Sequence, residues 1–368
     1  MTTLAGQVWT PTGWQPGQLE FGQDILTLAP LEQAPDVFLV PGFIDVHVHG
    51  GGGHDAMDGE AGVRGLARFH ARHGTTALLA TTITNPWERV LEALTHIRQV
   101  RGRPADGEAQ VLGAHLEGPF INPLKLGAQP PFTVLPTRER VAEVLAPGVI
   151  RVVTLAPELP GATEAAVQFA GAGVRVSLGH TVASAEQADT VIGAVLHSGG
   201  EVSGTHVYNA MSGLSGREPG VVGALLARPQ AHAEIILDYH HVHPLSFLSV
   251  LNARPERTLL VTDAMRAAGM PDGDYDLGGQ TATVRNGQAR LSGGSLAGSL
   301  LTMDAAVRQA VKAGVPLHTA VALASLHPAR YLGLHDRGEL RPGMRADLVV
   351  LNRGLEVVQV YVNGAALR

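Results

Sequence analysis

The 368-residue chain has no cysteine, which excludes disulfides, thiolate metal sites and cysteine nucleophiles at once. Any metal must then be held by His, Asp or Glu. Lysine is confined to Lys125 and Lys312, so arginine carries most of the positive charge. The formal charge is −6 and the pI is near 6.3, which argues against a basic face for nucleic acid. No run approaches the roughly 18 apolar residues of a membrane span. The opening residues, Met1 to Gly6, lack a basic segment followed by an apolar one, so the expected location is cytoplasmic. No Gly-x-Ser-x-Gly elbow is present, which disfavours a serine hydrolase. The Gly50–Gly53 run and the Gly293-Gly294 pair lack the Gly-Lys-Ser/Thr ending of a phosphate loop and read as mobile loops.

What is present is an alternation of short apolar runs with segments of helical periodicity, the pattern of βα units around a parallel sheet. Eight runs read as strands: 43–49, 76–83, 111–117, 150–156, 174–180, 203–208, 233–238 and 258–263. Helical segments at 62–73, 87–101, 138–145, 163–172 and 184–197 fall between them. Eight such repeats over about 250 residues predict an α/β fold, a (β/α)₈ TIM barrel. Residues 275–291 contain a Gly-Gly pair and an Asn286-Gly287 turn and read as a β-hairpin insertion. Helical patterning resumes over 302–332, with Pro316 suited to a first turn. Residues 1–40 and 336–368 read as short strands and turns. The simplest account joins both termini into one small β-sandwich domain beside a barrel of residues 41–335.

In such a barrel the catalytic groups lie at the C-terminal ends of the strands. Those ends carry His47 and His49, then Glu117, His180, His206, Asp238 and Asp263. His47 and His49 are two apart on one strand and share a face. Each residue alone is weak evidence, since histidine is common in this chain and a lone one is usually structural. Their recurrence at one rim points to a metal site. Two imidazoles and a carboxylate suit a divalent ion while leaving a position for water, and a further acid can move protons between water and a leaving amine. Asp263, closing the last strand, has the type and place for that work. His70, His73, His96, His197 and His232 lie on helices or away from strand ends and read as surface or packing residues.

The stretch Pro41-Gly42-Phe43-Ile44-Asp45-Val46-His47-Val48-His49-Gly50 resembles the first-strand motif of the amidohydrolase superfamily. Five further segments are similar, in order, to its N-acetylglucosamine-6-phosphate deacetylase family: His115–Phe120, Leu178–Thr181, Thr205–Met211, Gly216–Gly220 and Val261–Ala264. Leu296–Asp304 matches the same family, and Gly338–Gly343 with Ala346–Leu348 resembles the superfamily's return to its β-domain. The resemblance implies hydrolysis of the N-acetyl group of N-acetylglucosamine 6-phosphate to glucosamine 6-phosphate and acetate. Glu117, His180 and His206 would hold the principal metal, and His47 and His49 a second. The expected cofactor is one or two divalent ions per chain, Zn²⁺ first, with Fe²⁺, Co²⁺ or Mn²⁺ as alternatives. Asp263 would be general base and then acid, and His241 would help polarise the acetyl carbonyl. Asn209 and Ala210 would meet the sugar phosphate, and Ala128, Leu296, Ala297 and Gly298 would line the sugar pocket. Arg217 would add a charged bond to phosphate, reaching the neighbouring active site of a homodimer.

Two positions depart from the family pattern: Gln129 stands where a histidine is usual, and Tyr239 where glycine is usual after Asp238. Both touch fine sugar recognition, so the choice between glucosamine and galactosamine epimers stays open. So do the native metal and its count. Relatives that bridge two metals with a modified lysine are disfavoured, because no lysine ends a barrel strand. The alternatives are an amidohydrolase acting on N-acetylgalactosamine 6-phosphate or another amide, and a non-catalytic metal-binding relative. No partner beyond a small-molecule sugar and a second copy is expected.

Overall fold

The computed structural model describes residues 1–367. Its centre is an eight-stranded sheet in which neighbouring strands run parallel in chain order. The strands are Phe43–Val48, Thr75–Thr82, Gln110–Glu117, Ile150–Leu155, Arg175–Leu178, Val202–Gly204, His232–Ile236 and Thr258–Val261. All but three are buried at every position, the third and fourth having one half-buried residue each and the fifth starting on half-buried Arg175; helices cover one face and the barrel interior the other, so the runs need no polar alternation. The first and last strands meet. Asp263 N–H donates to the His47 carbonyl at 2.8 Å, and the His49 and Gly50 amides donate to the Ala264 carbonyl at 2.9 and 2.8 Å. That closure makes a barrel, and its C-terminal rim is where the loops of all eight units converge.

Helices follow most strands, among them Gly59–Ala71, Trp87–Val100, Arg138–Leu145, Ala162–Gly171 and Ala185–His197. The last is closed by a capping box, Ser184 accepting from the Gln187 amide while the Gln187 side chain accepts from the Ser184 amide. The 302–332 region forms three helices, Met303–Lys312, Leu317–Ala324 and Leu326–Leu332. Pro316 sits just before the second of these, as its N-cap.

Seven strands from the two ends of the chain form one further sheet. Thr2–Thr10, Gly13–Phe21, Ile25–Pro30 and Phe38–Pro41 come from the start, and Leu348–Leu351, Val357–Val362 and Ala365–Ala366 from the end. The sheet curls over its own core of Val8, Leu19, Phe21, Leu39, Leu348 and Tyr361. Its edge at Ile25 returns to the 343–346 segment, with Ile25 N–H donating to the Met344 carbonyl, so the two ends of the chain form one curled sheet where a sandwich of two was expected.

The inserted β-segment is larger than a hairpin. Gly273–Leu277, Gln280–Arg285 and Gln288–Leu291 make a three-stranded antiparallel meander, because the Gly278-Gly279 pair is a second reversal alongside Asn286-Gly287. Both glycines there have positive φ, 62° and 86°, which favours glycine. The meander packs Leu277, Ala282, Val284 and Ala289 against Ile83, Met265 and Ala297, and so walls one side of the barrel mouth.

Candidate functional site

Glu117 is the last residue of the third strand, and His180, His206 and Asp263 each follow their strand by two residues. Those three adopt positive φ of 49°, 32° and 48°, so the backbone turns as it leaves the strand. His47 and His49 end the first strand with their side chains on the same face. The result is one cluster. His206 Nε2 and His180 Nε2 lie 2.9 and 3.2 Å from Glu117 Oε1, and 3.2 Å from each other. His49 Nε2 lies 3.1 Å from Glu117 Oε2 and 3.2 Å from Asp263 Oδ1. His47 Nε2 lies 3.4 Å from Glu117 Oε1 and 3.5 Å from Asp263 Oδ1. Two ligand-type triads result, Glu117–His180–His206 and His47–His49–Asp263, with Glu117 between them.

The ring tautomers suit a metal. His180 donates Nδ1–H to the Lys125 carbonyl at 2.8 Å, and His49 donates Nδ1–H to the Thr81 carbonyl at 3.2 Å. His47 Nδ1 pairs with Glu234 Oε2 at 3.0 Å, and His47 Nε2 is buried without a hydrogen-bond partner. Holding Nδ1–H in an acceptor leaves the Nε2 lone pair for an ion, as in carboxylate–histidine–metal arrangements. The donor set is nitrogen and oxygen only, compatible with Zn²⁺ and its first-row neighbours.

Electrostatics agree. Burial opposes ionisation of Glu117, yet the charge on His47 and hydrogen bonds from His180 and His206 hold its carboxyl well below the usual carboxylate range. Burial likewise opposes ionisation of Asp263, and His47 and His49 overcome it and lower that carboxyl. For His49, burial disfavours the charged ring, but hydrogen bonds to Asp263 and Glu117 push it up to about 9. A field that binds protons this firmly also favours a divalent cation between the rings.

The cluster forms the floor of a cavity of about 350 Å³ lined by His49, Glu117, His180, His206, Asp263 and His241, and by Lys125, Ala128, Gln129, Asn209, Ala210, Leu296 and Gly298. That volume, near the lower end of the roughly 300–1,000 Å³ of ligand pockets, suits one sugar. His241 is held by Asp238, whose Oδ2 pairs with Nδ1 at 2.6 Å while Oδ1 accepts the His240 and His241 amides at 2.8 Å. Asn209 donates Nδ2–H to the His206 carbonyl at 3.0 Å.

Two expected pocket residues lie elsewhere. Ala297 is fully buried against the meander, its N–H donating to the Ala289 carbonyl, and does not line the cavity. Arg217 is exposed on the loop preceding helix Gly220–Ala227 and lies outside its own chain's cavity. Sequence reasoning passed over Lys125 and Glu234, and noted Gln129 only as a departure from the family pattern. Lys125 reaches the lining, and its rarity in this chain was the available signal. Gln129 donates to Glu117 Oε2 at 2.5 Å and accepts the Thr84 amide at 2.7 Å. Glu234 lies beneath the site, and an acid in the middle of an otherwise apolar strand was its only mark.

The amidohydrolase family model matches residues 38–367. An N-acetylgalactosamine-6-phosphate deacetylase of Escherichia coli O157:H7 is 44% identical over 89% of this chain and 86% of its own length. An N-acetylglucosamine-6-phosphate deacetylase of Lysinibacillus sphaericus is 39% identical over 89% and 84%. A mutant N-acetyl-D-glucosamine-6-phosphate deacetylase of Mycobacterium smegmatis, solved in complex with N-acetyl-D-glucosamine 6-phosphate, superposes with a TM-score of 0.92. It is 36% identical and covers 100% of this chain and 99% of its own.

Proposed function

We propose that this chain, which belongs to the amidohydrolase family, is an enzyme that hydrolyses N-acetyl-D-glucosamine 6-phosphate to D-glucosamine 6-phosphate and acetate. The observation that carries the reading is the convergence of Glu117, His180, His206, His49 and Asp263 on the floor of one sugar-sized cavity, with buried His47 packed against Glu117 and Asp263. Relatives that match over most of their own length and bear this activity in their names support it.

Glu117, His180 and His206 would hold the principal divalent ion, and His47, His49 and Asp263 with Glu117 a second. Zn²⁺ is the first expectation, with Fe²⁺, Co²⁺ or Mn²⁺ as alternatives. Such an ion, when bound, supplies Lewis acidity towards water and the acetyl carbonyl. Asp263 takes a proton from the attacking water as its oxygen bonds the acetyl carbon, then delivers that proton to the amide nitrogen as the C–N bond breaks. His241, fixed by Asp238, is placed to hydrogen-bond the acetyl oxygen. Asn209 and Ala210 meet the phosphate at its mouth, where Lys125 adds positive charge. Arg217, too far out to serve its own cavity, completes the phosphate site of a neighbouring copy in a homodimer. No helix among the described residues is long and apolar enough to cross a membrane, and a phosphorylated sugar as substrate fits a cytoplasmic enzyme.

The galactosamine epimer is the second reading, favoured by the 44% identity to the E. coli deacetylase of that sugar. Acetate release from both 6-phosphates decides between them. A kcat/KM higher for the glucosamine compound supports the first reading. A clear preference for the other epimer replaces the substrate, and release from neither removes the deacetylase reading.

A further inference from the structure

Beneath the cluster, inside the barrel, is an acid that the reaction does not use. Glu234 belongs to the seventh strand, is completely buried and has no lysine or arginine partner. An acid so placed costs several kcal/mol unless its oxygens are well satisfied. Only one oxygen is. Glu234 Oε1 has no partner, whereas Oε2 takes two contacts. It accepts from His47 Nδ1 at 3.0 Å and from the backbone N–H of His206 at 3.3 Å.

Those two contacts reach both ligand triads. The first sets the His47 tautomer, so that Nε2, which has no hydrogen-bond partner, faces Glu117 and Asp263. The second holds the His206 backbone, which leaves its strand at φ 32°, and His206 Nε2 stands 2.9 Å from Glu117 Oε1. His115 also lies close enough to group with His47 and Glu234. Its ring nitrogens are already committed, Nδ1 to the Val46 carbonyl at 3.0 Å and Nε2 to Thr154 Oγ1 at 2.8 Å. This second group is therefore a hydrogen-bonded support and not a third ion site.

We infer that Glu234 is the positioning residue common to the two metal triads, orienting His47 through its ring and His206 through its backbone. The inference rests on the metal-site reading above. A carboxylate at this depth with one oxygen unsatisfied carries a desolvation cost, and both of its hydrogen bonds go to residues that the metal-site reading makes ligands.

The test compares wild type, Glu234→Gln and Glu234→Leu for Zn²⁺ affinity, measured by chelator competition, and for the melting temperature of the metal-free proteins. Removing an outer hydrogen-bond partner of a metal-bound histidine weakens affinity by about 10- to 100-fold. Glu234→Leu should show a loss of that size, and because it leaves the His47 Nδ1–H and the His206 N–H without an acceptor its metal-free melting temperature should fall as well. Glu234→Gln, whose amide oxygen can accept both contacts, should stay within a few-fold of wild type. Unchanged Zn²⁺ affinity in Glu234→Leu overturns the inference, and so does a loss of affinity in Glu234→Gln as large as that in Glu234→Leu. The metal count of the wild type judges the underlying reading separately: fewer than two ions per chain removes His47–His49–Asp263 as a site, and none removes both.

Discussion

Replacing Asp263 by asparagine separates the chemistry from the scaffold, because the backbone of this residue is anchored independently of its carboxylate. Its N–H donates to the His47 carbonyl, and its carbonyl accepts the Ser299 amide, both at 2.8 Å. Asparagine keeps the shape and these bonds, so Asp263→Asn should fold. What it lacks is the proton acceptor 3.2 Å from His49 Nε2. A positioned general base or acid contributes about 10²- to 10⁴-fold, or roughly 3–5.5 kcal/mol at 1.36 kcal/mol per decade. The expected result is a kcat for acetate release lowered by at least about a hundredfold, with KM little changed. Glu117, His180 and His206 do not include Asp263 and should retain an ion, so metal content measured on the same sample stays at one per chain or more. A kcat within about threefold of wild type, far inside the range for general catalysis, would refute the assignment. Loss of all metal would refute the independence of the Glu117 triad.

Arg217→Ala should raise KM for the phosphorylated sugar about 10- to 100-fold, the worth of a charge-assisted hydrogen bond, with kcat nearly unchanged; an unaltered KM removes Arg217 from the phosphate site. Asp304, near the start of helix Met303–Lys312, gives a pH prediction. Burial alone would raise it, but hydrogen bonds from His73 and Thr302 and the Arg308 charge hold it down at about 2, against 3.8 unperturbed. Its contribution, about 2 kcal/mol, is therefore present above pH 3.8 and lost as pH falls through 2. Urea titrations should show wild type losing this increment relative to Asp304→Asn over that window, and parallel curves would count against it. Gly50→Ala should cost about 1–3 kcal/mol through overpacking, since a Cβ there meets the His54 carbonyl oxygen at 2.4 Å and the Arg266 amide nitrogen at 2.7 Å. A melting temperature equal to wild type would show that the loop after the first strand yields.

The barrel was legible because a parallel sheet covered by helices leaves near-continuous apolar runs, and those can be counted. The runs overshot the C-terminal ends of seven strands and met the third at Glu117. Residues 174–180 and 203–208 read as strands, whereas the strands end at Leu178 and Gly204. Apolar pattern cannot register that His180 and His206 have turned into the left-handed region. Asp263 and Tyr208 hid the same turn. Residues at strand ends were found because the rim of a barrel is where chemistry gathers. Glu234 escaped that logic, lying inside the barrel below the rim. Ala297 was misplaced for another reason: its segment borders the cavity, but its own side chain faces the meander, and sequence does not say which way a loop residue points. The meander has one strand more than the expected hairpin because Gly278-Gly279 makes a reversal of its own.

The backbone shows why the rim is harder to read than the strands. Nine non-glycine residues among those described have positive φ, and six of them, His180, His206, Tyr208, Ala210, Tyr239 and Asp263, stand at or just beyond barrel strand ends. Such conformations cost of order 1–3 kcal/mol each when unsupported. Here they are supported one by one. The His180 carbonyl accepts the Asn122 amide at 2.9 Å, the Ala210 carbonyl accepts the Thr181 amide at 3.0 Å, and Asp263 is tied at both its N–H and its carbonyl. Tyr239 donates its hydroxyl to the Gln309 carbonyl at 2.7 Å, so a side chain compensates where glycine would have needed no help. The contacts that hold these turns come from segments distant in sequence, and therefore leave no local pattern. That separates what the chain discloses from what it conceals: ligand types appear as residues at strand ends, while their aim, and with it the shape presented to one epimer or the other, is set by loops packing on loops.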